Sequence, residues 1–225
     1  MEQSLDLSAA RKHFKAHDPI MYHLVKQVTE HKNPIVLPKP LPPRAYFGAI
    51  VSSIVGQQIS TKAAAAVRAR LVARVGKLTP RAISAISEED LQSCGLSAQK
   101  TRYLKTNADL WHTIPVRSFA HMNDAEIIAE LTKLYGVGTW TAEMFLMFSM
   151  ARPDVFSYGD LGLMGALYQN YPLKTHWNRK LEQTVNAWSP HRTIASLTLW
   201  HVRDNEPVIL STYVQAGTDG DARMS

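Results

Sequence analysis

Between Leu131 and Phe148 two helical patterns of apolar residues meet at Gly136-Val137-Gly138, and this joint constrains the fold more than any other stretch. Leu131 and Leu134 close one apolar face, and Trp140, Met144, Met147 and Phe148 open another. A turn this short between helices needs positive φ or close backbone approach, which glycine supplies without a Cβ clash. It leaves the first amides of the next helix pointing outward at the positive end of the helix dipole, where a phosphate is favoured. A glycine turn alone is weak ground for function, because many helices end in one.

The rest of the chain also reads as helix. Alternation is absent over useful lengths apart from the apolar tip Val208-Ile209-Leu210, so the spacing predicts an all-α fold of ten or so helices in two lobes with a cleft between them. Ser8 is expected to cap a first helix, and Asp18-Pro19 to open a second. Pro34, Pro38, Pro40, Pro42 and Pro43 then impose a stiff extended connector. Tyr46, Phe47, Ile50, Ile54 and Val55 pattern a buried helix that stops at Gly56; Gln57 and Gln58 stand in the break, and Ser60 or Thr61 caps an alanine-rich helix with small, close-packing faces. Ser87 opens another helix, Cys94-Gly95 makes a second short joint, and Asn123 with Glu126 forms a capping box ahead of the glycine joint. The helix-hairpin-helix is expected at about 123–151, within a single domain over 1–213. Lobe one is expected at about 44–135, lobe two at 1–43 plus about 136–213, and a disordered tail at 214–225.

Charge is unevenly placed. From His31 to Ser87 there is no acid, while nine lysines and arginines fall in that window; elsewhere 16 basic residues face 19 acidic ones. A polyanion would be drawn to such a region, with an affinity that falls as salt rises; a solvated helix face that lacks acids is the equal alternative. The single cysteine, Cys94, excludes an internal disulfide and any all-cysteine metal or cluster site in one chain, and reads as a small buried apolar residue. No apolar run of eighteen and no basic-then-apolar leader is present. An intracellular protein is therefore expected, without membrane attachment and acting as a monomer, cytoplasmic or, in a eukaryote, nuclear. Paired glycosidase carboxylates, HExxH and GxSxG are not evident.

Four ordered blocks carry a resemblance. They are Gly56-Gln57-Gln58-Ile59-Ser60 with Lys62-Ala63-Ala64, Leu134 to Ala142, Asp154-Val155-Phe156 with Asp160-Leu161-Gly162, and Arg192-Thr193-Ile194-Ala195 with Leu199-Trp200. The chain resembles the helix-hairpin-helix DNA glycosylases, in the 3-methyladenine DNA glycosylase II branch; its iron–sulfur relatives need four cysteines and are excluded. The resemblance implies a monofunctional enzyme that hydrolyses the N-glycosidic bond of alkylated purines, 3-methyladenine and 7-methylguanine, by base flipping in base excision repair. Its partner is double-stranded DNA containing alkylated bases, and it needs no cofactor; a monovalent cation on backbone carbonyls of the 136–138 hairpin is the one ion it allows. Another lesion, such as an etheno adduct or hypoxanthine, and a noncatalytic DNA-binding module are the alternatives.

Site roles follow from the same resemblance. Asp160 alone is an ordinary N-cap, but it lies 20 residues after Trp140, the spacing that puts a catalytic aspartate over the deoxyribose in this family. An ionised carboxylate there stabilises the charge that develops on the sugar and orients or deprotonates water. Trp140 stands where strand-nicking relatives carry a Schiff-base lysine, so an intact abasic site is expected. Trp140 and Trp200 would wall the base pocket, favouring a cationic ring by about 0.5–2 kcal/mol, and Met144 replaces a tyrosine of some relatives. Core packing is the alternative for each aromatic. Gln58, with Gln57 beside it, takes the wedge position that fills the gap left by the extruded nucleotide; a polar cap on exposed amides is the alternative. Gly136, Val137, Gly138 and Thr139 would grip the backbone, with Lys62 and Arg192 assigned to it too. For Arg192, bracing Asp160 or an interlobe salt bridge remain open. Lys100, Arg102 and Lys105 either reach phosphates or form a solvated face.

Overall fold

A computed structural model describes residues 5–173 and 179–204, and among these every regular element is helical. The apolar tip at 208–210 and the tail at 214–225 lie outside the described residues. The chain divides into two compact units, Met1–Leu37 with Arg152–Ser225, and Pro38–Ala151. The first break falls in the proline connector, as the sequence indicates. The second does not fall at the hairpin: residues 136–151 belong with the middle of the chain.

The middle unit is built on α3 (Tyr46–Gly56), which buries Tyr46, Phe47, Ile50, Val51, Ile54 and Val55. Around it stand α4 (Thr61–Val75), α5 (Pro80–Ala85), α6 (Glu88–Ser93), α7 (Ala98–Leu110), α8 (Asp124–Leu131) and α9 (Thr139–Phe148). α9 explains the shifted boundary. Phe145 meets Tyr46 edge-on at 5.0 Å and Phe119 at 6.4 Å, and both partners precede the hairpin. The Leu41 N–H also donates to the Ser149 carbonyl at 2.8 Å. The buried face of α9 is Thr141, Ala142, Phe145, Leu146 and Met147, whereas Trp140 and Phe148, expected on the apolar face, are each 45% exposed. Ser60 caps α4 through the Ala63 N–H. Its alanines do not make a packing face, since only Val67 and Leu71 of that helix are buried.

In the other unit lie α1 (Leu7–His17), α2 (Pro19–Glu30), α10 (Leu161–Asn170), α11 (Arg179–Asn186) and α12 (Arg192–Asp204). Phe14, Met21, Leu24, Leu163, Leu167, Trp188, Ile194 and Leu199 form its core. Asp6, not Ser8, caps α1, because its carboxylate reaches two amides, those of Ser8 and Ala9. Asp18 caps α2 and is buried; beyond the Met21 amide it accepts from Tyr171 Oη at 2.8 Å and Trp188 Nε1 at 2.7 Å. That one carboxylate links three stretches far apart in sequence.

Candidate functional site

The hairpin between α8 and α9 forms for the reasons its sequence gives. Asn123 and Glu126 make the capping box at the head of α8. Gly136 sits at φ +75°, and a β-carbon there would lie 2.6 Å from the Tyr103 ring, so both backbone conformation and space require glycine. Val137 turns its side chain into the interior, while Gly138 and Thr139 are exposed. Gly138 is the N-cap of α9 and no side chain caps that helix; by contrast Ser97 caps α7 through the Lys100 N–H. The start of α9 therefore presents backbone donors and a positive dipole end to solvent.

Gln57 and Gln58, expected together as a wedge, part company. The Gln57 side-chain amide donates to the Gly136 carbonyl at 2.8 Å, so it ties the α3–α4 loop to the hairpin and is not available as a wedge. Gln58 is exposed and holds φ 59°, the left-handed region that few non-glycine residues adopt. Of the carbonyls expected to hold a cation, that of Gly136 accepts the Gln57 amide and that of Gly138 accepts the Ala142 N–H, one hydrogen bond each.

Three residues of α7, two of them lysines expected at phosphates or on a solvated face, hold backbone of other segments. Asn107, 1% exposed, accepts the Tyr135 N–H at 2.8 Å and donates to the Tyr135 carbonyl at 2.9 Å. Lys100 donates to the carbonyls of Val55 at 2.8 Å and Gln57 at 2.6 Å, closing the end of α3, and burial lowers its pKa. Lys105 likewise caps carbonyls, those of Ser84 and Ile86. The only sequence signal was the helical spacing of Lys100, Tyr103 and Asn107.

Trp140 and Met144 do meet. With Gln57, Gln58, Ser52 and Ser53 they line a cavity of about 540 Å³ in the middle unit. Lys62 is exposed in the first turn of α4. Elsewhere in the basic window Arg68 donates to Ser52, Arg70 to the Cys94 carbonyl, and Arg74 pairs with Asp90, so these three cations hold structure.

In the other unit Asp160 is the N-cap of α10. Its Oδ1 accepts the Leu163 N–H at 2.7 Å and Trp200 Nε1 at 3.2 Å. Trp200 thus turns an indole N–H to the carboxylate, a pairing across 40 residues that no local pattern reveals. A β-carbon at Gly162 would lie 2.7 Å from Arg203 Cζ and 3.2 Å from Asp160 Oδ1, so glycine opens the space that guanidinium and carboxylate share. Among the described residues the carboxylate paired with Arg192 is that of Asp154, not that of Asp160. Arg192 holds Asp154 of its own unit through Nε–Oδ1 at 2.9 Å and Nη2–Oδ2 at 3.1 Å. Thr193 Oγ1 accepts the Val155 N–H and donates to the Arg152 carbonyl, fastening the strap that leads to Asp160 onto the first turn of α12.

Residues 51–191 match the family described as HhH-GPD superfamily base excision DNA repair protein. The chain is similar to DNA-3-methyladenine glycosylase 1 of Schizosaccharomyces pombe, with 30% identity over 201 residues covering 86% of each protein. Among solved structures, it is similar to a DNA-3-methyladenine glycosidase from Bacillus halodurans, with TM-score 0.74, 31% identity, and coverage of 90% of this chain and 92% of that one. It is also similar to the S. pombe 3-methyladenine DNA glycosylase solved with abasic DNA, with TM-score 0.71, 26% identity, and coverage of 87% and 97%.

Proposed function

Because this chain belongs to the helix-hairpin-helix superfamily of base excision DNA repair proteins, in its alkylation-repair branch, we propose that it is a monofunctional glycosylase releasing alkylated purines from duplex DNA. The observation that carries this reading is Asp160, a carboxylate fixed through Oδ1 by a helix amide and an indole N–H, inside the matched span. 3-Methyladenine and 7-methylguanine are the substrates, since relatives at 30% and 31% identity bear the name of the first.

In this mechanism the amides at Gly138 and Thr139 hold a phosphate, Gln58 fills the gap in the duplex, and the extruded base enters the cavity beside Trp140 and Met144. A purine alkylated at a ring nitrogen is already cationic. When the C1′–N bond breaks, its electron pair goes to the base, which departs neutral, and positive charge passes to C1′ and O4′ of the sugar. Asp160 stabilises that charge more than it stabilises the ground state, and accepts a proton from the water that attacks C1′. No general acid is required. Trp140 offers no amine, so no covalent enzyme–sugar intermediate forms and the strand stays intact. The protein acts as a monomer where the DNA is, in the cytoplasm or in the nucleus of a eukaryote.

Free-base release from a methylated duplex tests the reading. Wild type is expected to release 3-methyladenine and to give no protein–DNA adduct on borohydride reduction; a trapped adduct would contradict the monofunctional assignment.

A further inference from the structure

Lys100, Tyr103 and Asn107 recur on one side of α7 at helical spacing, and all three meet backbone of segments far away in sequence. Lys100 takes the carbonyls of Val55, next to last in α3, and of Gln57, the residue before the exposed Gln58. Tyr103 lays its ring where a β-carbon of Gly136 would be. Asn107 grips Tyr135 by both its N–H and its carbonyl, and Gln57 closes the circuit to Gly136. An amide buried in mid-helix costs free energy unless both its ends are bonded, and here both are spent on hairpin backbone. An ammonium drawn out of water onto two helix-end carbonyls likewise fixes where α3 stops.

We infer that α7 is a register bar, in which Asn107 is a positioning residue for the hairpin's hold on phosphate and Lys100 a positioning residue for the Gln58 loop. The inference rests on the DNA glycosylase reading, and it assigns separate steps to two side chains on one helix: affinity for the backbone to Asn107, and insertion into the duplex to Lys100.

The full chain is measured on two duplexes, one carrying an abasic analogue for binding and one carrying 7-methylguanine for single-turnover release, below the melting temperature of each variant. Asn107→Ala should weaken binding about tenfold at every salt concentration and leave the slope of log affinity on log salt unchanged, because the hairpin holds phosphate through uncharged amides that neutralise no charge and release no counterion. Its release rate at saturating protein should stay within about threefold of wild type, because saturation restores occupancy without moving Asp160. Lys100→Met should do the reverse, binding within about threefold while release slows about tenfold. Rescue by Lys100→Arg, which keeps the cation on the two carbonyls, is expected. Parallel losses of affinity and rate in both variants, or unaltered affinity in Asn107→Ala, would overturn the assignment. A wild type that binds the abasic duplex but releases no base sinks the glycosylase reading and leaves the affinity arm standing.

Discussion

Asp160 shows how one side chain carries two readings. As an N-cap it was legible from the apolar run that follows it, and it does accept the Leu163 amide. Its second donor, Trp200 Nε1, lies 40 residues on and became visible only when α12 packed against α10. Hydrogen bonds to charged groups are worth roughly 1.5–3 kcal/mol. Trp200→Phe, which keeps an aromatic ring but removes the N–H, should therefore slow single-turnover base release at least about tenfold while abasic-DNA affinity stays within about twofold. Gly162→Ala should also slow release, by about tenfold, because its methyl would press on Arg203 and on Asp160. An unaltered rate in both variants would mean the carboxylate needs no support. Gln57 shows the converse. A polar residue in a break between helices reads as solvent-facing, yet its amide found the Gly136 carbonyl, a partner set by tertiary packing alone.

At the level of elements, caps and turns were the most legible features because their chemistry is local. Ser60, Ser87 and Asn123 stand where an oxygen is needed by an amide two or three residues on, and the structure pairs each of them. The burial of α9 was less legible. Its sequence is apolar nearly all round, so periodicity alone could not say that Thr141 and Ala142 turn inward while Trp140 and Phe148 stay exposed. The hairpin's own geometry makes a sharper prediction. A non-glycine residue in the left-handed region costs about 1–2 kcal/mol, and the Tyr103 ring stands where the β-carbon would go. Gly136→Ala should lower the melting temperature by several degrees and weaken abasic-DNA binding about tenfold. Gly138→Ala, with φ −90° and open space around it, should leave the melting temperature nearly unchanged.

Over the whole molecule, all-helical architecture and the proline break were legible because both rest on backbone restrictions, whereas the second unit boundary depended on Phe145 meeting Tyr46 and Phe119. Stability has a pH signature in the unit that holds Asp160. Burial, then the nearby His13, holds His191 below its ordinary 6.5, partly opposed by Asp154 and Asp6. The unfolded chain thus binds this proton more readily than the folded one. The neutral ring's contribution is complete above pH 6.5 and is lost as pH falls through the lower folded value. Melting temperature should drop between pH 7 and pH 5, and less steeply in His191→Asn. All of this serves a single claim, that a fixed carboxylate drives the loss of a base from its sugar. The direct measurement is single-turnover release of 3-methyladenine from methylated duplex by wild type and by Asp160→Asn. Wild type should release the base, and the variant should lose roughly a hundredfold or more of that rate while retaining abasic-DNA binding. Equal release by the two proteins would contradict the claim.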